Sequence, residues 1–477
     1  MKPQSSRALV RPGHKIQCQW RMQALRSFNT QRCTEKKPTK IASSLKRSPS
    51  LRRRLISSPW QSNPPLPRSL STTSSVPQIM VNDMANQEVL VDFDGTAFRY
   101  PSFWLRDHCP CSECQHPSTH QRQLDTFTVD PEIKVSSAES TPSGLQITWP
   151  NNHTSLYSWS WLSTHPPFTQ SSSKRAVRPP PTRQWTPSLP SSTLPQVPFP
   201  TIMDTSDTSG LTSFLSAIHN NGLCFIPSTP PNPSATQYLI ERISHIRATH
   251  YGGFWDFTSE VNPIDTAYTN DPLPPHTDNT YFTDPAGLQL FHLLSHTSVH
   301  DTTQPGQGGE STFVDGFAAA AHLHKHFPQH YRYLATIPIT SAALGAPEGS
   351  FYNTASSMQG YPVLNHSSPG GSVPNPSPSN LVQIRWNNLD RMAPTTPSFP
   401  SHTALKSWYA AAREWARILE SPEFLITVKL QPGEPVIFDN WRVLHGRLGF
   451  EGKRRVCGAY VGMDDFRARC RSLGIDV

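Results

Sequence analysis

The run Pro275-His276-Thr277-Asp278-Asn279-Thr280-Tyr281 sets an imidazole and a carboxylate one residue apart, in a stretch entered through Pro272, Pro274 and Pro275. In an extended chain, residues i and i+2 point to the same face, so His276 and Asp278 are expected to converge. Convergent imidazole and carboxylate groups can hold a divalent metal, but two ligands are too few. A third has to arrive from far along the chain. Without it, the triplet reads as a pair of solvated loop residues.

The run NWRVLHGR supplies a third ligand in His445, 169 residues after His276 and directly after the strongly β-forming EPVIFDNW. Two histidines and one carboxylate make the facial triad of non-haem Fe(II) oxygenases, which leaves coordination positions open for cosubstrate and oxygen. Such an enzyme needs a cation for the far carboxylate of 2-oxoglutarate. Arg454 lies nine residues after His445 in the strand-like RRVCGAY and shares strand parity with Tyr460, whereas Arg455 points the other way.

A second cluster lies in WLRDHCPCSECQHPSTHQRQLDT, where Cys109, Cys111 and Cys114 crowd three thiols into six residues. Clustered thiolates favour zinc or iron–sulfur chemistry. With eight cysteines in 477 residues, a disulfide scaffold is not expected. A fourth ligand is needed, for which His153 in WPNNHTSLY competes with His108, His116 and His120. A closed Cys₃His site would be structural; the alternative is three reduced, buried cysteines. Cys224, Cys457 and Cys470 read as core residues, and GQGGES lacks the lysine and following helix of a phosphate loop.

The rest of the chain gives these clusters a setting. The formal net charge of +8 is uneven: residues 1–80 carry 16 of the 42 Lys and Arg and one acid, Glu35. Without them 26 basic residues face 33 acidic ones, a net of −7. This Arg- and Ser-rich segment resembles a mitochondrial transit peptide, with a basic nucleic-acid arm or a disordered extension of a cytoplasmic protein as alternatives. It lacks the interleaved aromatics of a single-strand binder, so no nucleic-acid partner is expected. No apolar run approaches the ~18–20 residues of a membrane span.

Alternation in EVLVDFDG and the strand-like LQITWP mark a compact unit over residues 81–165. A Ser/Pro-rich linker is expected over 166–198, too poor in apolar residues to pack. Residues 199–477 then carry short strand candidates: LQLFHLL, STFVDGF, LVQIRW, FLITVKL, EPVIFDNW and RRVCGAYVG. Helical spacing of Leu405, Trp408, Tyr409, Ala412, Trp415, Ala416 and Leu419 predicts one helix, and a second is expected from Phe317 to Leu334. The pattern favours a mainly β, largely antiparallel sandwich with flanking helices.

The runs HTDNTYFTDPAGLQLFHLL, STFVDGF, FDNWRVLHGR and RRVCGAY, in that order, resemble the γ-butyrobetaine and trimethyllysine dioxygenase family, with YGGFWDFTSE, DTAYT and IRWNNLDR closer to the trimethyllysine branch. The resemblance runs from about Val81 to Val477. It implies a double-stranded β-helix (jelly-roll) catalytic domain preceded by a small β-rich zinc-binding domain. It further implies Fe(II) on His276, Asp278 and His445, 2-oxoglutarate paired with Arg454, oxygen and ascorbate, and a zinc ion closed by His153.

Tyr251, Trp255, Tyr268 and Tyr460 match the family's cage for a trimethylammonium group, which cannot donate hydrogen bonds and is read by ring faces. Asp265 is placed to pair with the α-ammonium that trimethyllysine has and γ-butyrobetaine lacks. Ser311 or Thr312 is expected to contact the cosubstrate. The expected reaction is 3-hydroxylation of N6-trimethyllysine, the first step of carnitine biosynthesis. The alternatives are γ-butyrobetaine hydroxylation and a non-catalytic methyl-lysine binding module. A homodimer is left open.

Overall fold

The computed structural model describes residues 78–83, 87–167, 183–187, 194–259, 269–344, 351–353, 360–367, 375–393 and 398–477. Residues 1–77, and with them nearly all of the basic segment, lie outside these, as do Asp265 and Tyr268.

The amino-terminal strands form two antiparallel three-stranded sheets. One joins Gln78–Asp83, Glu88–Phe93 and Thr96–Pro101; the other joins Ser137–Thr141, Gly144–Thr148 and Thr154–Tyr157. The expected alternation is real: Val89 and Val91 are fully buried with Tyr100, Leu145, Ile147 and Trp149. The first strand starts at Gln78, inside the segment expected to be tail, because Gln78 already pairs with Asp92.

The larger region is built in layers. A four-stranded antiparallel sheet runs Leu273–His276, Val443–Arg447, Ser311–Asp315, Ile426–Val428. A six-stranded sheet has at its centre Val436–Asp439, Leu288–Thr297 and Lys453–Val461, and Trp255–Thr258 pairs with the last of these. Phe313 and Val443 of the first sheet pack with Trp255, Leu293, Phe438 and Val456 of the second.

Period-two alternation sends Leu288, Leu290, Ala459 and Val461 to the opposite face, against helices Ser209–Asn221, Pro233–Ile243 and Met463–Ser472. On the outside of the smaller sheet, Val314 and Leu444 meet three further helices.

Two expectations need correction here. The helix expected from Phe317 to Leu334 is two helices, Gly316–His326 and Pro328–Thr336. Pro328 has no N–H to continue the first and suits the first turn of the second. Helix His402–Leu419 is present, capped by Ser401, but Tyr409 faces solvent while Trp408 and Trp415 are buried.

The expected linker is anchored in part: Trp185 is 4% exposed in the core between the sheets. Its backbone N–H donates to Asp315 Oδ2 (3.0 Å) and its indole N–H to the Asn221 carbonyl (2.7 Å). Val197 is buried as well. One large aromatic ring was enough to dock a segment of poor overall apolarity.

Candidate active site and a second metal centre

His276 ends one strand, and Asp278 lies just beyond it, followed by Asn279 at φ 58°. The convergence therefore comes from the turn after the strand rather than from strand periodicity. His445 lies directly opposite His276 on the neighbouring strand. One ligand atom from each of His276, Asp278 and His445 falls within 4.8 Å of the other two. Asp278 Oδ1 is 3.3 Å from His276 Nε2 and 3.7 Å from His445 Nε2.

The surroundings prepare these groups as ligands. His276 Nδ1 is 2.9 Å from the Pro274 carbonyl, which accepts its proton and leaves Nε2 free to face inward. His445 lies against Phe291 and Phe438, with ring centroids 5.5 and 4.9 Å away. Burial, and then the neighbouring His276, push its pKa down to about 3, so its imidazole is neutral. Burial also opposes charge on His276, but the Asp278 carboxylate outweighs it and the net shift is upward. Asp278 is held well below the usual carboxylate range: burial acts upward, but the imidazoles and the Tyr460 hydroxyl win. Two imidazoles and an ionised carboxylate at one end of a cavity fit an open three-ligand metal site.

The same cavity is lined by Tyr251, Trp255, Tyr460, Ser311, Arg454 and Asp390. Arg454 and Tyr460 do share an inward face, while Arg455 turns outward to Asp256 (2.6 Å). Arg454 is 8% exposed, and burial, then the nearby Arg447, lower its pKa to about 10. Among the described residues it pairs with no carboxylate, and its Nε has no hydrogen-bond partner. A buried guanidinium without an anion suits an incoming carboxylate.

Ser311 pairs with Arg447 and Phe313 with His445 across the strands, so Ser311 faces the cavity and Thr312 pairs with Gly446. Trp255 lies over Gly458, where a Cβ would run into its indole. The glycine in RRVCGAY was a signal for this wall that sequence reading passed over.

Other residues missed in the sequence are Gln289, Asn387, Leu389, Asp390 and Arg447, all on the cavity wall. Gln289 Nε2 donates to Asp278 Oδ2 at 2.7 Å, and the Tyr460 hydroxyl donates to the same oxygen at 2.7 Å. The Asn440 side chain holds the Asp278 backbone from both sides, accepting from its N–H (2.8 Å) and donating to its carbonyl (3.1 Å). Tyr268 and Asp265, expected here, lie outside the described residues.

The second cluster also assembles. His153 Nε2 is 3.3 Å from Cys109 Sγ and 3.6 Å from the sulfurs of Cys111 and Cys114. The rivals do not join it: His108 Nδ1 is engaged with the Trp104 carbonyl, and His116 Nδ1 accepts from Ser118 and Thr119. Ser155 Oγ donates to Cys109 Sγ (3.0 Å) and Arg106 to Cys114 Sγ (3.2 Å). Burial pushes the Cys109 thiol up to about 12. Four soft and borderline donors around one point fit a closed tetrahedral site.

Residues 181–460 match the family model "Taurine catabolism dioxygenase TauD, TfdA family", and residues 81–163 match "Gamma-butyrobetaine hydroxylase-like, N-terminal". A trimethyllysine dioxygenase of Neurospora crassa is 39% identical over 398 residues, 78% of this chain and 80% of that one. The chain belongs to the γ-butyrobetaine and trimethyllysine dioxygenase family. Within that family, the human protein named mitochondrial trimethyllysine dioxygenase is 35% identical over 384 residues, 80% of this chain and 85% of its own length. A γ-butyrobetaine dioxygenase of Pseudomonas sp. is 31% identical over 380 residues, covering 79% and 91%. The family's fold, mainly β with helices outside and an amino-terminal β-rich domain, is the one described above. As a dioxygenase, the chain is an enzyme and not a bare methyl-lysine reader.

Proposed function

We propose that this dioxygenase hydroxylates N6-trimethyllysine at C3, with Fe(II) held by His276, Asp278 and His445. The observation that carries the reading is the convergence of those three side chains at a cavity walled by Tyr251, Trp255 and Tyr460. The trimethyllysine branch is favoured over γ-butyrobetaine because relatives bearing that name reach 35–39% identity against 31%. Iron, when bound, supplies the oxidising chemistry, in which one O₂ oxygen goes to succinate and the other to the substrate carbon as 2-oxoglutarate loses CO₂.

The protein's part is positional. Arg454 pairs with the distal carboxylate of 2-oxoglutarate, with Ser311 beside it. The aromatic wall takes the trimethylammonium head, each ring face contributing roughly 0.5–2 kcal/mol. Tyr268 is assigned to that wall on the family resemblance, and Asp265 to the substrate's α-ammonium on its charge and its place in the segment that carries Tyr268. Ascorbate serves to keep iron ferrous.

Cys109, Cys111, Cys114 and His153 hold a structural zinc in an amino-terminal domain spanning 81–165, and 199–477 form the catalytic domain. Residues 1–80 direct the enzyme to mitochondria, as the names of the mammalian relatives suggest. The test is mass spectrometry after incubation of each betaine with Fe(II), ascorbate and 2-oxoglutarate. Oxygen gained on trimethyllysine with stoichiometric succinate is expected; oxygen gained on γ-butyrobetaine alone overturns the assignment.

A further inference from the structure

Asp278 has two carboxylate oxygens, and the protein treats them differently. Oδ1 faces His276 and His445, whereas Oδ2 receives both the Gln289 amide and the Tyr460 hydroxyl, each at 2.7 Å. The two donors are direct partners across adjacent antiparallel strands, Gln289 on Leu288–Thr297 and Tyr460 on Lys453–Val461. Cross-strand partners share a sheet face, so the register itself brings both to one oxygen. Both are buried, at 2% and 4% exposure.

Stability does not account for the glutamine. Among the described residues its buried Oε1 finds no hydrogen-bond partner, and an unsatisfied buried acceptor is a cost that a leucine of similar size would avoid. Its neighbours on the same strand, Leu288 and Leu290, are apolar. Tyr460 likewise spends its hydroxyl on the carboxylate, so it contributes a ring face to the cavity and a proton to Oδ2.

We infer that Gln289 and Tyr460 form a two-donor clamp that commits Asp278 to bind metal through Oδ1 alone. This rests on the iron-triad reading above. A carboxylate free to rotate or to chelate through both oxygens would occupy a coordination position that cosubstrate or oxygen requires. With two donors on Oδ2, rotation or chelation has to break charge-assisted hydrogen bonds, which are stronger than neutral ones. Gln289 and Tyr460 are thus positioning residues, acting through Asp278, and groups of this kind commonly change metal affinity 10- to 100-fold when removed.

The test is Co(II) titration of the full-length protein freed of iron but keeping its zinc, followed by visible absorbance, alongside thermal unfolding of the same iron-free samples. Gln289→Leu and Tyr460→Phe are each expected to lower Co(II) affinity about 10- to 100-fold and to alter the Co(II) spectrum. Iron-free unfolding temperatures should change little, since Leu fills the glutamine's space and Phe keeps the ring. Wild-type affinity and spectrum in both variants would overturn the clamp. Failure of the wild-type protein to bind Co(II) would instead overturn the triad reading beneath it. Should Gln289→Leu fail to fold, Tyr460→Phe alone decides.

Discussion

His276 and His445 are direct partners across two antiparallel strands, with ring centroids 4.3 Å apart. Residues 169 apart in sequence are thereby fixed side by side by backbone pairing, and Asp278 needs only the turn at Asn279 to complete the group. A metal centre built this way depends on the imidazoles for function more than for folding. His276→Ala is expected to abolish hydroxylation while leaving the circular dichroism spectrum and unfolding temperature near wild type. Near-normal turnover by that variant would remove the assignment.

Arg454 lies in the cavity as a buried guanidinium that pairs with no carboxylate among the described residues. Arg454→Gln should raise the KM for 2-oxoglutarate about 10- to 100-fold, the equivalent of losing a charge-assisted bond of ~1.5–3 kcal/mol. Binding of the trimethylammonium substrate should change far less. Steady-state kinetics with each substrate varied in turn would read this, and an unchanged KM for 2-oxoglutarate would leave Arg447 as the better candidate.

The cysteine cluster predicts about one tightly held zinc per chain, because binding at a closed site contributes directly to folding. Elemental analysis after dialysis against a mild chelator measures it, and zinc-free, fully stable protein would contradict it. Cys111→Ser should lower the unfolding temperature first and activity only in consequence. Ser155→Ala, which removes the hydroxyl donor to Cys109 Sγ, should be milder in the same direction.

His292 predicts acid sensitivity away from either metal site. Its Nδ1 donates to Thr236 Oγ1 (2.7 Å), and its Nε2 accepts from the Gly433 backbone N–H (3.1 Å), so the fold requires the neutral ring. Burial lowers its pKa to about 4 from an ordinary 6.5. A depressed pKa contributes stability in full above the ordinary value, and that contribution is lost as pH falls toward about 4. At most the loss is on the order of 3 kcal/mol. His292→Gln should be less stable at neutral pH yet show a shallower decline between pH 6.5 and 4 in denaturant titrations. Parallel declines would mean that other groups carry the acid response.

The parts of this site that were legible in the sequence have local signatures. A two-residue spacing marked His276 and Asp278, strand parity paired Arg454 with Tyr460, and close thiol spacing marked the second cluster. What was not legible depends on strand register. Gln289 sits between two leucines in an apolar strand, and nothing local says that it faces Tyr460 across the sheet. Ser311 was separable from Thr312 only once its pairing with Arg447 was known. Trp185 escaped because composition averages over a segment, while docking is decided by a single ring.

Substrate choice within the family is decided away from the aromatic wall, because both betaines carry a trimethylammonium group. Only trimethyllysine brings a second cation, its α-ammonium, and an acid must meet it. Asp265 was expected there from its place beside Tyr268, but it lies outside the described residues. Among the described cavity residues, the one carboxylate besides Asp278 is Asp390, steadied by the Thr280 hydroxyl at 3.2 Å. Its charge reaches the cavity interior, since it acts upward on the pKa of both His276 and Tyr281. Losing a charge-assisted bond out of bulk water costs about 1.5–3 kcal/mol, or roughly ten- to a hundredfold in kcat/KM. Whichever acid meets the ammonium, its Asn variant should lower kcat/KM for trimethyllysine by that factor and leave turnover of γ-butyrobetaine nearly untouched. Measured side by side, Asp265→Asn and Asp390→Asn assign the contact to the variant whose ratio of the two efficiencies collapses. If neither ratio moves, no carboxylate of this cavity selects between the betaines, and discrimination has to come from recognition of the substrate's carboxylate end.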